Sequence, residues 1–458
     1  MINYSIIQKS QLEGARRIDA EYYQPEYLEN DKVIKNYKNG FRLLGELLKR
    51  KNAITGGATP LGADYLDSGI PFLRVQNVMQ NYLDLEDVVY ISEDIHNGLL
   101  RRSRLKAGDV LLTITGVSYG KSATIPTDFN EGNINQHSVK IEVDNDIILS
   151  EFLSTFLNSK FGKYQNDRKI TGLSRPGLVY TELKNILIPF VSLDKQRQIR
   201  ETVVEANETL KKLESLYSQA ENLLLEELGL KNFKPQEELS CVVNLSDIKS
   251  SHRMDADYFQ PKYDAAIARI KKYNLKPLGE LVTMKKGFEP GSDEYQEEGK
   301  AFLRVSNISR LGFTDKDQKY LNNELYQQLK GSFEPKTGDI LLTKDATPGI
   351  AYVLKEPVEG IIASGIMRLK IKEDIDVEYL TLCINSLVCQ MQVERDAGGS
   401  IIVHWKPEQI KNLLIPILPK STQQKIADLV RKSHEARKKA KELLEEAKQK
   451  VEELIEKA

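Results

Sequence analysis

Several things are scarce in this chain. Its three cysteines, Cys241, Cys383 and Cys389, include no CxxC spacing. That argues against a zinc site and for a reducing compartment. The five histidines are scattered. No apolar run approaches the roughly 18 residues of a membrane span. The first residues, MINYSIIQKSQLEGARR, lack the charged-then-apolar layout of a signal peptide, so a cytoplasmic protein is expected. A surplus of either charge is missing as well: 65 basic against 66 acidic side chains give a net charge of −1. Any nucleic-acid binding must then rest on local positive charge.

Catalytic signatures are also missing. No Asn/Asp-Pro-Pro-aromatic string occurs, as amino-nitrogen methyl transfer would need to hold its base. H-E-x-x-H and Cys/His ligand clusters are absent, which removes the common metal classes. Asp109 and Asp339 are single carboxylates in Gly-Asp turns at strand starts, where turn formation accounts for them. Gly116 to Ser122, GVSYGKS, looks like a phosphate loop but has three residues between its glycines instead of four. A tight strand–turn–strand is the simpler reading. These absences point to a binding or scaffold protein with no metal and no cofactor of its own.

What the chain does have is a heptad seam. From Leu193 to Leu228, apolar or small residues fall at Ile199, Val203, Ala206, Leu210, Leu213, Tyr217, Ala220 and Leu224, and Gly229 is a natural stop. At about 1.5 Å per residue this is a rod of roughly 54 Å. A second seam closes the chain: Ile426, Leu429, Ser433, Ala436, Ala440, Leu444, Ala447, Val451, Leu454 and Ala458. Ser421 to Gln424 reads as its capping box.

The chain is also duplicated. RIDAEYYQPEY (Arg17 to Tyr27) matches RMDADYFQPKY (Arg253 to Tyr263), PFLRVQNV matches AFLRVSNI, KAGDVLLT matches KTGDILLT, and LKNILIP matches IKNLLIP. Gln196 and Ile199 match Gln423 and Ile426 at the head of each rod. A period of about 230 residues is too long for a solenoid and implies two similar domains, each followed by a rod. Each half should run from a tyrosine-rich helical lead-in through strands such as DVLLTIT and SVKIEV, or DILLT and IMRLKI, to a helix. A Gly-containing loop and an apolar strand ending at Pro189 or Pro416 follow. Two copies of one unit pack best about a two-fold axis, so the rods should pair antiparallel. The expected class is α+β, with two similar globular domains joined by two long antiparallel coiled-coil helices in pseudo-two-fold symmetry. The boundaries are 1–192, 193–229, 230–420 (linker and second domain) and 421–458.

If the heads read DNA, polar loop residues should do it. Arg74 and Asn77 match Arg304 and Asn307; being retained, they could instead be structural. Residues that differ between the copies suit base reading better: Tyr119, Lys121 and His137 against Lys344, Thr347 and Ser364. In the loops after the helix, Arg168, Lys169 and Arg175, suited to phosphate contact, stand against Arg395, His404 and Lys406.

The ordered set of these stretches, occurring twice with a heptad helix after each, resembles the DNA-specificity subunits of Type I restriction–modification systems. Thr55 to Val78, Lys106 to Ile125 and Thr171 to Ile199 carry the resemblance in the first half. Lys286 to Ile308, Lys336 to Gly349 and Ala397 to Ile426 carry weaker versions in the second. The family's proline-rich, Glu-Gln helix entry appears here as FVSLDKQ and LPKSTQQ, without paired prolines or the Glu. The resemblance implies two target-recognition domains, each reading half of a split double-stranded DNA site, with spacer helices setting the gap. It implies no catalytic activity of its own. Its expected partners are adenine methyltransferase subunits and, through them, restriction/translocase subunits. The competing reading is a coiled-coil adaptor whose two heads bind proteins.

Overall fold

The computed structural model describes the whole chain except residues 1–4, 11, 13–16, 61, 63, 117–118, 171–176, 237, 315–316, 398–402 and 458. It divides into two compact units, residues 1–210 with 438–458 and residues 211–437. No described helix is long and apolar enough to cross a membrane.

In the first unit, alternating and apolar runs form a four-stranded antiparallel sheet ordered Ile54–Gly56, Ser138–Ile141, Val110–Thr113, Ser122–Thr124. A three-stranded sheet has Ile70–Leu73 at its centre, antiparallel to Val89–Ile91 and parallel to Asn133–Ile134. The strand Leu187–Pro189 pairs with Phe41–Leu43 and closes the unit. The second unit repeats this plan. Val282–Lys286, Ile366–Ile371, Ile340–Thr343 and Ala351–Val353 form its four-stranded sheet. Lys300–Leu303 centres the three-stranded one, and Leu414–Pro416 pairs with Leu275–Pro277. The central strands are buried at every position, so their continuous apolar runs reflect cover on both faces.

The expected helix of each half is two helices broken at one serine. Ser150–Asn158 and Lys160–Lys169 flank Ser159, and Val377–Asn385 and Leu387–Asp396 flank Ser386. The asparagine ending each first helix clamps an edge strand. Asn158 accepts from Ser122 N–H (2.9 Å) and donates to Ser122 O (2.8 Å). Asn385 does the same to Ala351 at 2.9 and 2.8 Å.

The long helices run Leu193–Glu227 and Lys420–Glu456. The second begins at Lys420, where Pro419 O accepts the Thr422 and Gln423 N–H groups. Ser421 therefore lies inside the helix, and the expected capping box is corrected to a carbonyl start. Gly229, at φ +69°, ends the first helix as expected. Gln196 and Gln423 are buried at the helix heads: Gln196 accepts from Leu149 N–H (2.8 Å) and donates to Val191 O (2.8 Å), while Gln423 donates to Leu418 O (2.8 Å).

Within the first unit, Ile199 and Val203 share a core with Ala447, Val451 and Ile455. Lys439 pairs with Glu205 at 2.5 Å and Lys450 reaches Thr202 at 3.3 Å. Within the second unit, Ala220, Leu224 and Leu228 share a core with Ile426 and Val430. The early part of each long helix thus meets the late part of the other, which is antiparallel pairing. The seam is adjusted at two places: Val430 and Ile455 are buried where Leu429 and Leu454 were expected, both half-buried. There the helix also covers a domain, so its apolar stripe is wider than a two-helix seam.

Candidate functional site

In both units the central strand runs into a tight loop held by one threonine. Thr113 Oγ1 accepts from Lys121 N–H (3.0 Å), and Gly120 N–H donates to Thr113 O (2.8 Å). Thr343 Oγ1 accepts from Ile350 N–H (2.9 Å) and donates to Thr347 O (2.6 Å). Gly116 and Ala346 take the same left-handed turn at φ +79° and +61°. Strands follow both loops, Ser122–Thr124 and Ala351–Val353. The GVSYGKS segment therefore lacks the following helix whose N-terminus a phosphate loop uses.

The segment after the helical pair returns to this loop. Leu178 N–H donates to Ile114 O (2.9 Å) in the first unit. In the second, Ala346 N–H donates to Val403 O (2.9 Å) and Trp405 N–H to Lys344 O (2.8 Å). Each unit places an imidazole here, from different elements. His137 Nδ1 meets Thr115 Oγ1 at 2.5 Å. His404 Nδ1 meets Asp345 Oδ1 at 2.8 Å, and Lys344 Nζ meets the other oxygen at 2.5 Å. Burial works to raise the Asp345 carboxyl, but the bonds from Lys344 and His404 outweigh it and hold it below the usual range.

The residues read from sequence separate into two groups. Tyr119, Lys121, His137, Lys344, Thr347, His404 and Lys406 lie on or beside these loops. Lys406 is exposed at the start of helix Pro407–Asn412 and Thr347 is exposed. Tyr119 OH donates to Asp167 (3.0 Å), and burial with that carboxylate pushes its phenol upward. Lys121 Nζ approaches Met79 Sδ at 3.9 Å. Arg175 lies outside the described residues.

The others are engaged within the fold. Asn77 and Asn307 are buried, each accepting from the N–H of Arg74 or Arg304 (2.9 and 3.0 Å) and donating to a carbonyl of the following turn. Arg74 donates to Asp87 O (2.8 Å), and Arg304 pairs with Asp317 (2.7 Å). Arg168 is 11% exposed, pairs with Asp31 (2.6 Å), donates to Tyr22 O (2.8 Å) and stacks on the Tyr22 ring at 4.2 Å. Arg395 pairs with Asp264 (3.0 Å) and stacks on Tyr258 at 4.7 Å. Lys169 is buried near Glu182 (3.6 Å), and burial lowers its ammonium pKa.

The structure also corrects one pairing. Ile114 N–H donates to His137 O as Lys344 N–H donates to Gly365 O, so the counterpart of His137 is Gly365. Ser364 instead matches Gln136. These two carry a site the sequence reading missed. Gln136 bonds Thr59, and Ser364 donates to Glu289 (2.9 Å), so a loop preceding the three-stranded sheet joins the site in each unit. Thr59/Glu289 and Gln136/Ser364 differ between the copies, so the same signal would have found them in the correct alignment. Among the described residues no group of His, Cys, Asp and Glu could hold a metal.

The family model described as Type I restriction modification DNA specificity domain matches residues 38–216 and 270–449. The specificity subunit of the Type I restriction enzyme EcoBI from Escherichia coli is 24% identical over 196 residues, 43% of this chain and 38% of that protein. The chain thus spans less than half the length of this curated relative. Among solved structures, the S subunit of a Type I restriction–modification system from M. genitalium aligns at 15% identity and a TM-score of 0.40, covering 91% of this chain and 95% of the other. The HsdS subunit from Thermoanaerobacter tengcongensis aligns at 17% identity and a TM-score of 0.29, covering 91% and 96%.

Proposed function

The chain belongs to the Type I restriction modification DNA specificity family, whose domain it carries twice, and from that premise we propose that it is the DNA-specificity subunit of a Type I restriction–modification complex. Each unit reads one half of a bipartite duplex site. The paired helices set the gap and present charged faces to adenine methyltransferase subunits, through which restriction subunits join. The protein supplies no catalytic group of its own and works in the cytoplasm.

One observation carries this reading: the same threonine-held loop recurs in both units while its outward side chains differ. A retained frame with changed polar tips is what two readers of two different half-sites require. The proposed readers are Lys121, His137 and Gln136 in the first unit and Thr347, Ser364, His404 and Lys406 in the second. Arg168, Lys169 and Arg395 serve the frame instead. Sequencing methylated adenines in cells that carry this chain and its methyltransferase tests the assignment. A two-part motif with a fixed unspecific gap is expected; methylation at a single undivided motif, or none, would overturn it.

A further inference from the structure

In the second unit one carboxylate of the loop site is fixed in direction and left uncompensated in charge. The backbone at Gly287 is pressed against the chain at Ala363. A Cβ there would lie 2.1 Å from the Ala363 carbonyl oxygen, as one at Gly57 would lie 2.0 Å from that of Ile134. Only glycine permits so close an approach, and it is kept in both units. Phe288 N–H then donates to Ile362 O (2.9 Å), and the next residue, Glu289, meets Ser364. Glu289 Oε2 accepts from Ser364 Oγ (2.9 Å), and its Oε1 accepts from Tyr295 OH (3.1 Å). Ser364 is followed by Gly365, where a Cβ would lie 3.5 Å from Asp345 Oδ2. Glu289, Ser364 and the cluster of Lys344, Asp345 and His404 thus form one contiguous run.

The two carboxylates of this run differ. Asp345 is matched by Lys344 and His404. Glu289 is exposed, and the two groups bonded to it are neutral hydroxyls, which aim it without balancing its charge. The frame does not require that charge. In the first unit Tyr65 packs on Phe72 with ring centroids 5.8 Å apart, as Tyr295 packs on Phe302 at 5.4 Å, yet the residue matching Glu289 is the neutral Thr59. On a surface that meets duplex DNA, an exposed carboxylate is repelled by phosphate and can only accept hydrogen bonds. The base edges it can pair with are those that carry an exocyclic amino group, cytosine N4 and adenine N6. Guanine O6 and N7 and thymine O4 are acceptors and are rejected. Adenine sets N7, a further acceptor, beside its amino group, and cytosine does not. A carboxylate with both oxygens fixed therefore favours cytosine.

We propose that Glu289 is a base-reading residue that selects a C·G pair at one position of the half-site read by the second unit, with Tyr295 and Ser364 aiming it. This deepens, and rests on, the function proposed above. The test compares the methylated motifs of cells that carry the methyltransferase subunit with wild type, Glu289→Ala or Glu289→Gln. Competition between duplexes altered at single C·G positions measures the same preference in the purified complex. Wild type should keep one C·G pair invariant and prefer it to T·A by about tenfold or more. Glu289→Ala should accept several pairs at that position alone. Glu289→Gln, whose amide offers the donor and acceptor that adenine N7 and N6 require, should move it toward A·T. The remaining positions, the gap and the other half-site should not change. Melting temperatures should not change either, since the side chain is exposed. A bipartite motif identical in wild type and both variants would overturn the inference and leave the function standing. Loss of methylation at every site by a folded Glu289→Ala protein would assign the residue to the frame or to subunit docking and also overturn the inference. If wild type yields no methylated motif, both readings fall together.

Discussion

Arg168 shows what a side chain's surroundings can reverse. In sequence it is a loop-edge cation suited to phosphate. In the structure its guanidinium is held by Asp31, the Tyr22 carbonyl and the Tyr22 ring. Arg168→Ala should therefore cost about 2 kcal/mol of stability in urea unfolding, because Asp31 loses its close partner and keeps only Lys35 at 3.9 Å. Arg168→Lys should recover only part of this, since a lysine lacks the stacking plane. Lys406 is the contrasting case, an exposed cation. Lys406→Ala should leave stability unchanged, weaken duplex binding and lower the salt slope by about one. Asn166 is fully buried with neither polar atom hydrogen-bonded, and its counterpart Val393 is apolar. Asn166→Val should raise stability by about 1 kcal/mol in the same unfolding assay, by removing an unsatisfied amide.

At the scale of elements, periodicity and turn chemistry were legible, because they are local. The strand runs DVLLTIT and DILLT, the strands ending at Pro189 and Pro416, and the Gly229 stop all appear where the pattern puts them. What the pattern could not give is which side of a helix meets a domain. His434 on the second long helix is such a residue. It faces Glu378 at 3.7 Å and the Tyr352 ring at 5.9 Å, while Lys355 takes the other oxygen of Glu378. Burial, with Lys355 and Arg437 nearby, pushes its imidazole down to about 3. The folded protein keeps His434 neutral at pH values where the unfolded chain is protonated. Its contribution is thus present above about pH 6.5 and is lost as pH falls from there toward about 3, by up to about 1.4 kcal/mol per pH unit. His434→Asn, which installs the residue found at the matching Asn207, should flatten that part of the stability–pH curve. Equal slopes for both proteins between pH 7 and 5 would refute the assignment.

For the whole molecule, the boundary between compact units passes between Leu210 and Lys211 and between Arg437 and Lys438, within both long helices. Seven residues inserted at each boundary add about 10 Å of helix, or about three base pairs of duplex. The methylated motif should then keep both half-sites and change its gap; an unchanged gap would count against the helices as spacers. The sequence by itself determined the duplication, the element order and the two heptad helices, because identity and periodicity are carried by residues close together in the chain. Only the tertiary structure decided how the retained and divergent polar residues are used. Asp345 meets His404 across 59 residues, and Arg168 meets Asp31 across 137. Such pairs exist only once the chain has closed, and they determine which cations are consumed by the frame and which remain on its surface.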